Sequence, residues 1–148
     1  EKFNLKKNEK LNKYETIIEG IAIDVYVPYY SKLILPVKLI QENFIIVEEI
    51  KVPKPEILLI LKQQAELARG EKTLKGQKDR IDILSLLFSG KINWENYFSL
   101  LKKYNIEHYT RQLKKIILEA KIEFSYLGIE NYREIKLIKK KLLRDLAG

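Results

Sequence analysis

Cysteine and methionine are both absent from these 148 residues, and histidine occurs once, as His108. Without thiols there is no disulfide framework, no zinc-thiolate site and no cysteine nucleophile. A lone histidine also rules out a histidine cluster. No apolar run approaches the roughly 18 to 20 residues that a membrane span requires, and no apolar signal core opens the chain. The expectation is a cytoplasmic protein with no membrane partner. Because the chain starts at Glu1 and carries no methionine, it reads as a piece of a longer translated chain. The lack of both sulfur residues beside abundant Ile, Lys and Glu suits a thermophile, and AT-rich coding gives the same bias.

A chain of this length has room for one domain, or for a small sheet with a helical appendage. With 32% charged and 46% apolar residues, the composition is that of a folded protein and not a disordered one. The net charge of +8 is unevenly spread. Eight Lys and Arg meet eight Asp and Glu in 1–53, seven meet five in 54–90, and thirteen meet seven in 91–148. The excess lies in Lys102, Lys103, Lys114, Lys115 and Lys121, then Lys136, Lys139, Lys140, Lys141 and Arg144. Such a face would attract phosphates. The reading favoured here is the plainer one, the ordinary outer side of amphipathic helices, since the lysines alternate with apolar positions at helical spacing.

The hydrophobic period changes once. From Tyr14 to Val27, β-branched residues alternate, with Ile21, Ile23 and Val25 on one side and Ala22, Asp24 and Tyr26 on the other. Gly20 marks a tight turn or a bulge inside this strand pair. The runs Lys32–Leu35 and Phe44–Ile50 would add strands to the same sheet. After Pro53 the pattern is helical. A first helix is predicted from Pro55 to Arg69, ended by Gly70, with Lys62, Glu66 and Arg69 on its polar stripe and Ile57, Leu58, Leu61, Ala65 and Ala68 opposite. A second begins near Asp79 or Arg80 and ends at Gly90. A third holds Trp94, Tyr97, Phe98 and Leu101, a fourth runs from Tyr109 toward Gly128, and the last holds Ile135, Ile138, Leu142 and Leu146. The expected fold is therefore α+β: a small mixed or antiparallel sheet in 1–53, then a bundle of about five helices in 54–148.

Three groups are candidates for chemistry. Asp24 is an acid in an otherwise apolar strand, and a buried carboxylate needs a cation or a metal; alternatively it faces solvent on a half-covered sheet. Lys62 and Arg69 are placed to hold phosphate, with Lys78 and Arg80 as further donors; the alternative is a Lys62–Glu66 pair along one helix. Asp79 and Asp82 would line the same pocket or complement the first turn of the second helix, and one residue can do both. The segment GEKTLKG between Gly70 and Gly76 lacks the spacing of a Walker loop.

The stretches IEGIAIDVYVPYY, VPKPEILLILKQQAELAR and KGQKDRIDILSLL together resemble the C-terminal half of a nucleotidyltransferase-fold protein, of the abortive-infection toxin type or its uncharacterised archaeal relatives. The likeness covers about residues 14 to 90. It implies that Asp24 stands where that family has its third metal-binding acid. The family's helical lysine then falls on Lys62, the arginine ending that helix on Arg69, and its Lys-Asp-x-x-Asp segment on Lys78, Asp79 and Asp82. Asp24, Lys62 and Asp79 are thereby implied in catalysis, and Lys62, Arg69, Lys78 and Asp82 in nucleotide binding. The implied cofactor is magnesium, and the implied activity is nucleotidyl transfer from a nucleoside triphosphate to a hydroxyl acceptor on RNA, a protein or a small molecule. The family's Gly-Ser loop with paired acids is not in this sequence, so either a longer parent chain carries it or the chain is a degenerate relative that never had it, and the chain as it stands is expected to be inactive. Two other readings stay open: a noncatalytic basic module that binds nucleic acid, and a subunit that binds a protein partner, as in a toxin–antitoxin pair.

Overall fold

A computed structural model describes residues 4–147. The chain divides into two units, 1–53 and 54–148, and its class is α+β.

The first unit holds two antiparallel sheets and a short helix. Strands β1 (Lys6–Asn8), β2 (Lys13–Ile18) and β3 (Ile21–Val25) form the first sheet in that order. β2 and β3 pair from Tyr14 opposite Val25 to Ile18 opposite Ile21. Glu19 and Gly20 make the two-residue connection with φ of 51° and 80°, so Gly20 serves a tight turn whose twist matches the flanking strands. Helix α1 (Val37–Glu42) follows Pro36. Strands β4 (Phe44–Val47) and β5 (Ile50–Pro53) then form a separate hairpin. The single sheet expected from sequence is thus two, and Lys32–Leu35 forms no strand. Phe44–Ile50 reads as one run because the hairpin turns on Glu48 and Glu49, which occupy positive φ without glycine or asparagine.

The second unit is helical: α2 (Pro55–Arg69), α3 (Leu74–Phe88), α4 (Trp94–Lys103), α5 (His108–Glu119), α6 (Ile122–Tyr126) and α7 (Tyr132–Asp145). Among the described residues that is six helices where about five were expected, because the fourth predicted helix breaks at Ala120 into α5 and α6. α2 packs on α3, α4 and α5, α3 on α6, and α5 on α7. Leu59, Ile60, Ile83, Leu84, Tyr97, Leu101, Leu113, Ile117 and Phe124 are buried. Pro55 opens α2 at its first turn, where its missing N–H costs nothing. Asn93 and Asn131 cap α4 and α7 by accepting from backbone N–H groups of the first turn. None of the described helices is long and apolar enough to cross a membrane.

Helix α3 starts five residues before the predicted Asp79. Thr73 is its cap: its hydroxyl oxygen accepts from the Gly76 N–H at 3.0 Å and donates to the Gly70 carbonyl at 3.1 Å. Gly76 belongs to the first turn and not to a loop. It permits a close approach, because a methyl group there would overlap the Gly70 carbonyl oxygen and lie 2.8 Å from its carbon. Gly76→Ala is therefore expected to destabilise the helical unit by about 2 kcal/mol, opposite in sign to the gain of up to about 1 kcal/mol that alanine gives at an unhindered helical site. Thermal unfolding of that variant checks the sign.

Candidate functional site

Helices α2 and α3 run antiparallel from the turn at Gly70, which brings Arg69 beside Asp79 and Lys62 beside Asp82. Arg69 Nη1 donates to Asp79 Oδ2 at 2.7 Å, and Lys62 Nζ donates to Asp82 Oδ2 at 2.6 Å. Lys62 Nζ also lies 3.7 Å from the other oxygen of Asp79. Asp79 is the centre of the cluster and only 1% exposed, so its charge depends on these two cations. Lys62 is half-buried and Arg69 exposed. The structure thus brings together four of the residues singled out in the sequence: Lys62, Arg69, Asp79 and Asp82.

The first-turn role proposed for Asp79 and Asp82 does not hold. With the cap at Thr73, both acids sit beyond the first turn, and their partners are side chains of α2. Lys62 pairs across the two helices and not with Glu66. Lys78 is exposed on α3 and forms no ion pair among the described residues. Arg80 is buried and turned elsewhere: its guanidinium lies 3.1 to 3.6 Å from Glu123, Glu71 and Glu119, so it is not a free phosphate donor. Lys115 joins this second network at 2.9 Å from Glu71. Its hydrogen bond, with its charge, holds the Glu71 carboxyl below the usual carboxylate range.

Asp24 belongs to the first unit. It is 42% exposed, and its Oδ2 accepts from Lys13 Nζ at 2.7 Å. Lys13 also lies 3.0 Å from Glu15, which accepts from Asn8 as well. Hydrogen bonds from Lys13 and then Asn8 lower the Glu15 pKa. Asp24 therefore takes the solvent side of the alternation.

These residues do not by themselves fit magnesium, which needs several oxygen ligands. The one carboxylate beside Asp24 shares its lysine, and among the described residues no group of three or more His, Cys, Asp or Glu is placed to hold a metal.

Sequence reasoning missed a buried polar network on the adjoining face of α2. The buried stripe of α2 is Glu56, Ile57, Leu59, Ile60, Gln63 and Glu66, while Ala68 is exposed; the predicted apolar face is rotated. Gln63 has no exposed surface. Its Nε2 donates to the Tyr109 carbonyl at 2.8 Å and to Gln112 Oε1 at 3.2 Å, and its Oε1 accepts from the Tyr97 hydroxyl at 2.8 Å. Gln112 Nε2 in turn donates to the Gln63 carbonyl and to Glu66 Oε2 at 2.6 Å. Burial pushes the Tyr97 hydroxyl pKa well above the ordinary tyrosine value, against the effect of the Gln63 hydrogen bond. The signal available was the register of Gln63 with Ile57 and Ile60 at helical spacing.

A cleft of about 540 Å³ opens beside this network, lined by Glu66, Glu71, Arg80, Arg111, Gln112 and Lys115 among others. Its charge is mixed, and none of Lys62, Arg69, Asp79 and Asp82 lines it. Compared with protein-family models, curated proteins and solved structures, the chain matches none of them.

Proposed function

We propose that this chain is part of a nucleotidyltransferase-fold protein, and that the Lys62, Arg69, Asp79 and Asp82 cluster is its nucleotide-facing surface. The observation that supports this reading is the convergence on one buried carboxylate, Asp79, of Lys62 and Arg69, two of the four residues at which the resemblance puts nucleotide binding. Asp79 fixes two cationic heads without using up their donors. Arg69 spends one N–H of five on Asp79, and an ammonium held by Asp82 retains further N–H groups. The remaining donors, with the unpaired Lys78, would bind the oxygens of a triphosphate.

In this reaction a hydroxyl oxygen of the acceptor attacks the α-phosphorus and gives up its proton to solvent, the bond from that phosphorus to the oxygen bridging the α- and β-phosphates breaks, and pyrophosphate leaves. Lys62 and Arg69 would position and neutralise the phosphates.

The test is transfer of label from α-labelled nucleoside triphosphates, with magnesium and total RNA, by the gene product translated from its start codon. Lys62→Gln keeps a hydrogen-bond donor for Asp82 and removes the charge. It is expected to lower transfer by at least about 100-fold, the scale set by losing one preorganised electrostatic contact. Transfer unchanged in Lys62→Gln would overturn the site, and no transfer by the parent would overturn the activity.

A further inference from the structure

Helix α7 carries a one-sided line of cations that stays unneutralised among the described residues. Arg133, Lys136, Lys140 and Arg144 follow one another at intervals of three or four residues, the spacing that keeps side chains on one face of a helix, and Lys141 borders them. The buried Leu142 lies about two and a half turns beyond Arg133 and so on the opposite side. Glu134 and Asp145 fall outside the line, on the far side of Lys141. All five cations are exposed, and none forms an ion pair among the described residues.

Elsewhere in this unit Lys62 is matched by Asp82 and Lys115 by Glu71, while other exposed cations, such as Lys78, Lys102 and Lys103, stand without an ion pair among the described residues but do not form a line of this length on one helix face. Lys139, the one lysine of α7 turned toward the bundle, donates to the Leu118 carbonyl at 2.8 Å. The outer line instead repeats like charge at Lys136, Lys140 and Arg144, four residues apart, an arrangement that destabilises a helix. The line runs about 16 Å along the axis. Tyr132, 77% exposed, is four residues before Lys136 and so flanks its start.

We propose that this face of α7 docks a single strand of RNA, its phosphates on the cations and a base on Tyr132. A linear array of unpaired cations complements a linear polyanion, and an exposed aromatic ring beside it offers stacking that a paired base cannot use. A membrane surface fits less well, because Leu142 of α7 and Leu146 at its C-terminal cap are buried in the bundle, and Tyr132 and Leu137 are the large apolar side chains that α7 leaves exposed.

The test is fluorescence anisotropy of the whole protein with a labelled oligouridylate, in EDTA and without nucleotide, so its outcome is independent of any transferase activity. With about four phosphate contacts, affinity is expected to fall on the order of 50-fold between roughly 50 and 200 mM salt. Lys136→Gln with Lys140→Gln reduces that fall to about 7-fold. These substitutions remove repulsion, so the helical circular dichroism is retained. Tyr132→Ala is expected to weaken binding at least about fivefold. An unchanged salt dependence in the double variant, equal affinity for an RNA duplex, or binding to phosphatidylserine vesicles but not to RNA would each overturn the proposal.

Discussion

Replacing Lys62 and Arg69 together by alanine is expected to destabilise the helical unit by about 3 to 5 kcal/mol. The effect is this large because of what remains behind. Asp79 is 1% exposed, and with both cations gone its carboxylate stays in the interior with no countercharge. Each single substitution leaves one cation in place and should cost less than half as much. Asp82 is half-buried and rehydrates when Lys62 is lost, so it adds little. Adding Asp79→Asn to the double variant removes the stranded charge and should restore much of the loss. Thermal unfolding followed by the helical circular-dichroism signal reads all of these proteins. A fall in Tm on the order of 10 °C or more is expected for the double variant. A loss under about 1 kcal/mol would mean that Asp79 does not depend on its two partners.

The second large effect is expected at Gln63. Gln63→Leu keeps the volume near native but leaves the Tyr97 hydroxyl without its acceptor at 2.8 Å, and it takes one donor each from the Tyr109 carbonyl, which keeps its bond within α5, and from Gln112 Oε1. A buried hydroxyl left unsatisfied, with two weakened acceptors beside it, costs about 3 kcal/mol. Tyr97→Phe in the same background removes the stranded hydroxyl, so the double variant should be more stable than Gln63→Leu alone, with a coupling of about 1 to 2 kcal/mol. Alkali gives a second readout. Burial raises the folded-state Tyr97 pKa above the ordinary 10.0, so this group favours folding fully below that value and progressively less as pH rises past it, where the unfolded chain ionises first. Tyr97→Phe should flatten that part of the stability profile, as urea unfolding at a series of alkaline pH values would show.

The helix ends were legible where local chemistry decides them. Pro55 and Gly70 bound α2 as predicted, and Trp94, Tyr97 and Leu101 share α4. The start of α3 was hidden because Gly76 resembles loop punctuation, whereas here glycine answers the approach of the Gly70 carbonyl. The second hairpin was hidden because Glu48 and Glu49 carry no turn signal. The rotation of α2 was only hinted at locally, by the register of Gln63 with Ile57 and Ile60: Gln63 and Glu66 are tolerated inside because Tyr97, Tyr109 and Gln112, from 34 to 49 residues away, satisfy them. The candidate site was half legible. Its residues stood out as charge at the junction of two apolar helices, but the partition into Asp79 with Lys62 and Arg69, and Arg80 with Glu71, Glu119 and Glu123, depends on where α3 begins. Asp79 and Arg80 are neighbours in sequence and about 100° apart around the helix.

The most direct measurement is an NMR titration of the protein with magnesium-free ATP, following backbone amides and the Arg69 Nε–H. The proposed surface predicts shifts centred on Lys62, Arg69, Lys78 and Asp79 that saturate and that Lys62→Gln weakens. No shift at these residues, or shifts confined to the cleft beside Arg111 and Lys115 or to α7, would contradict it.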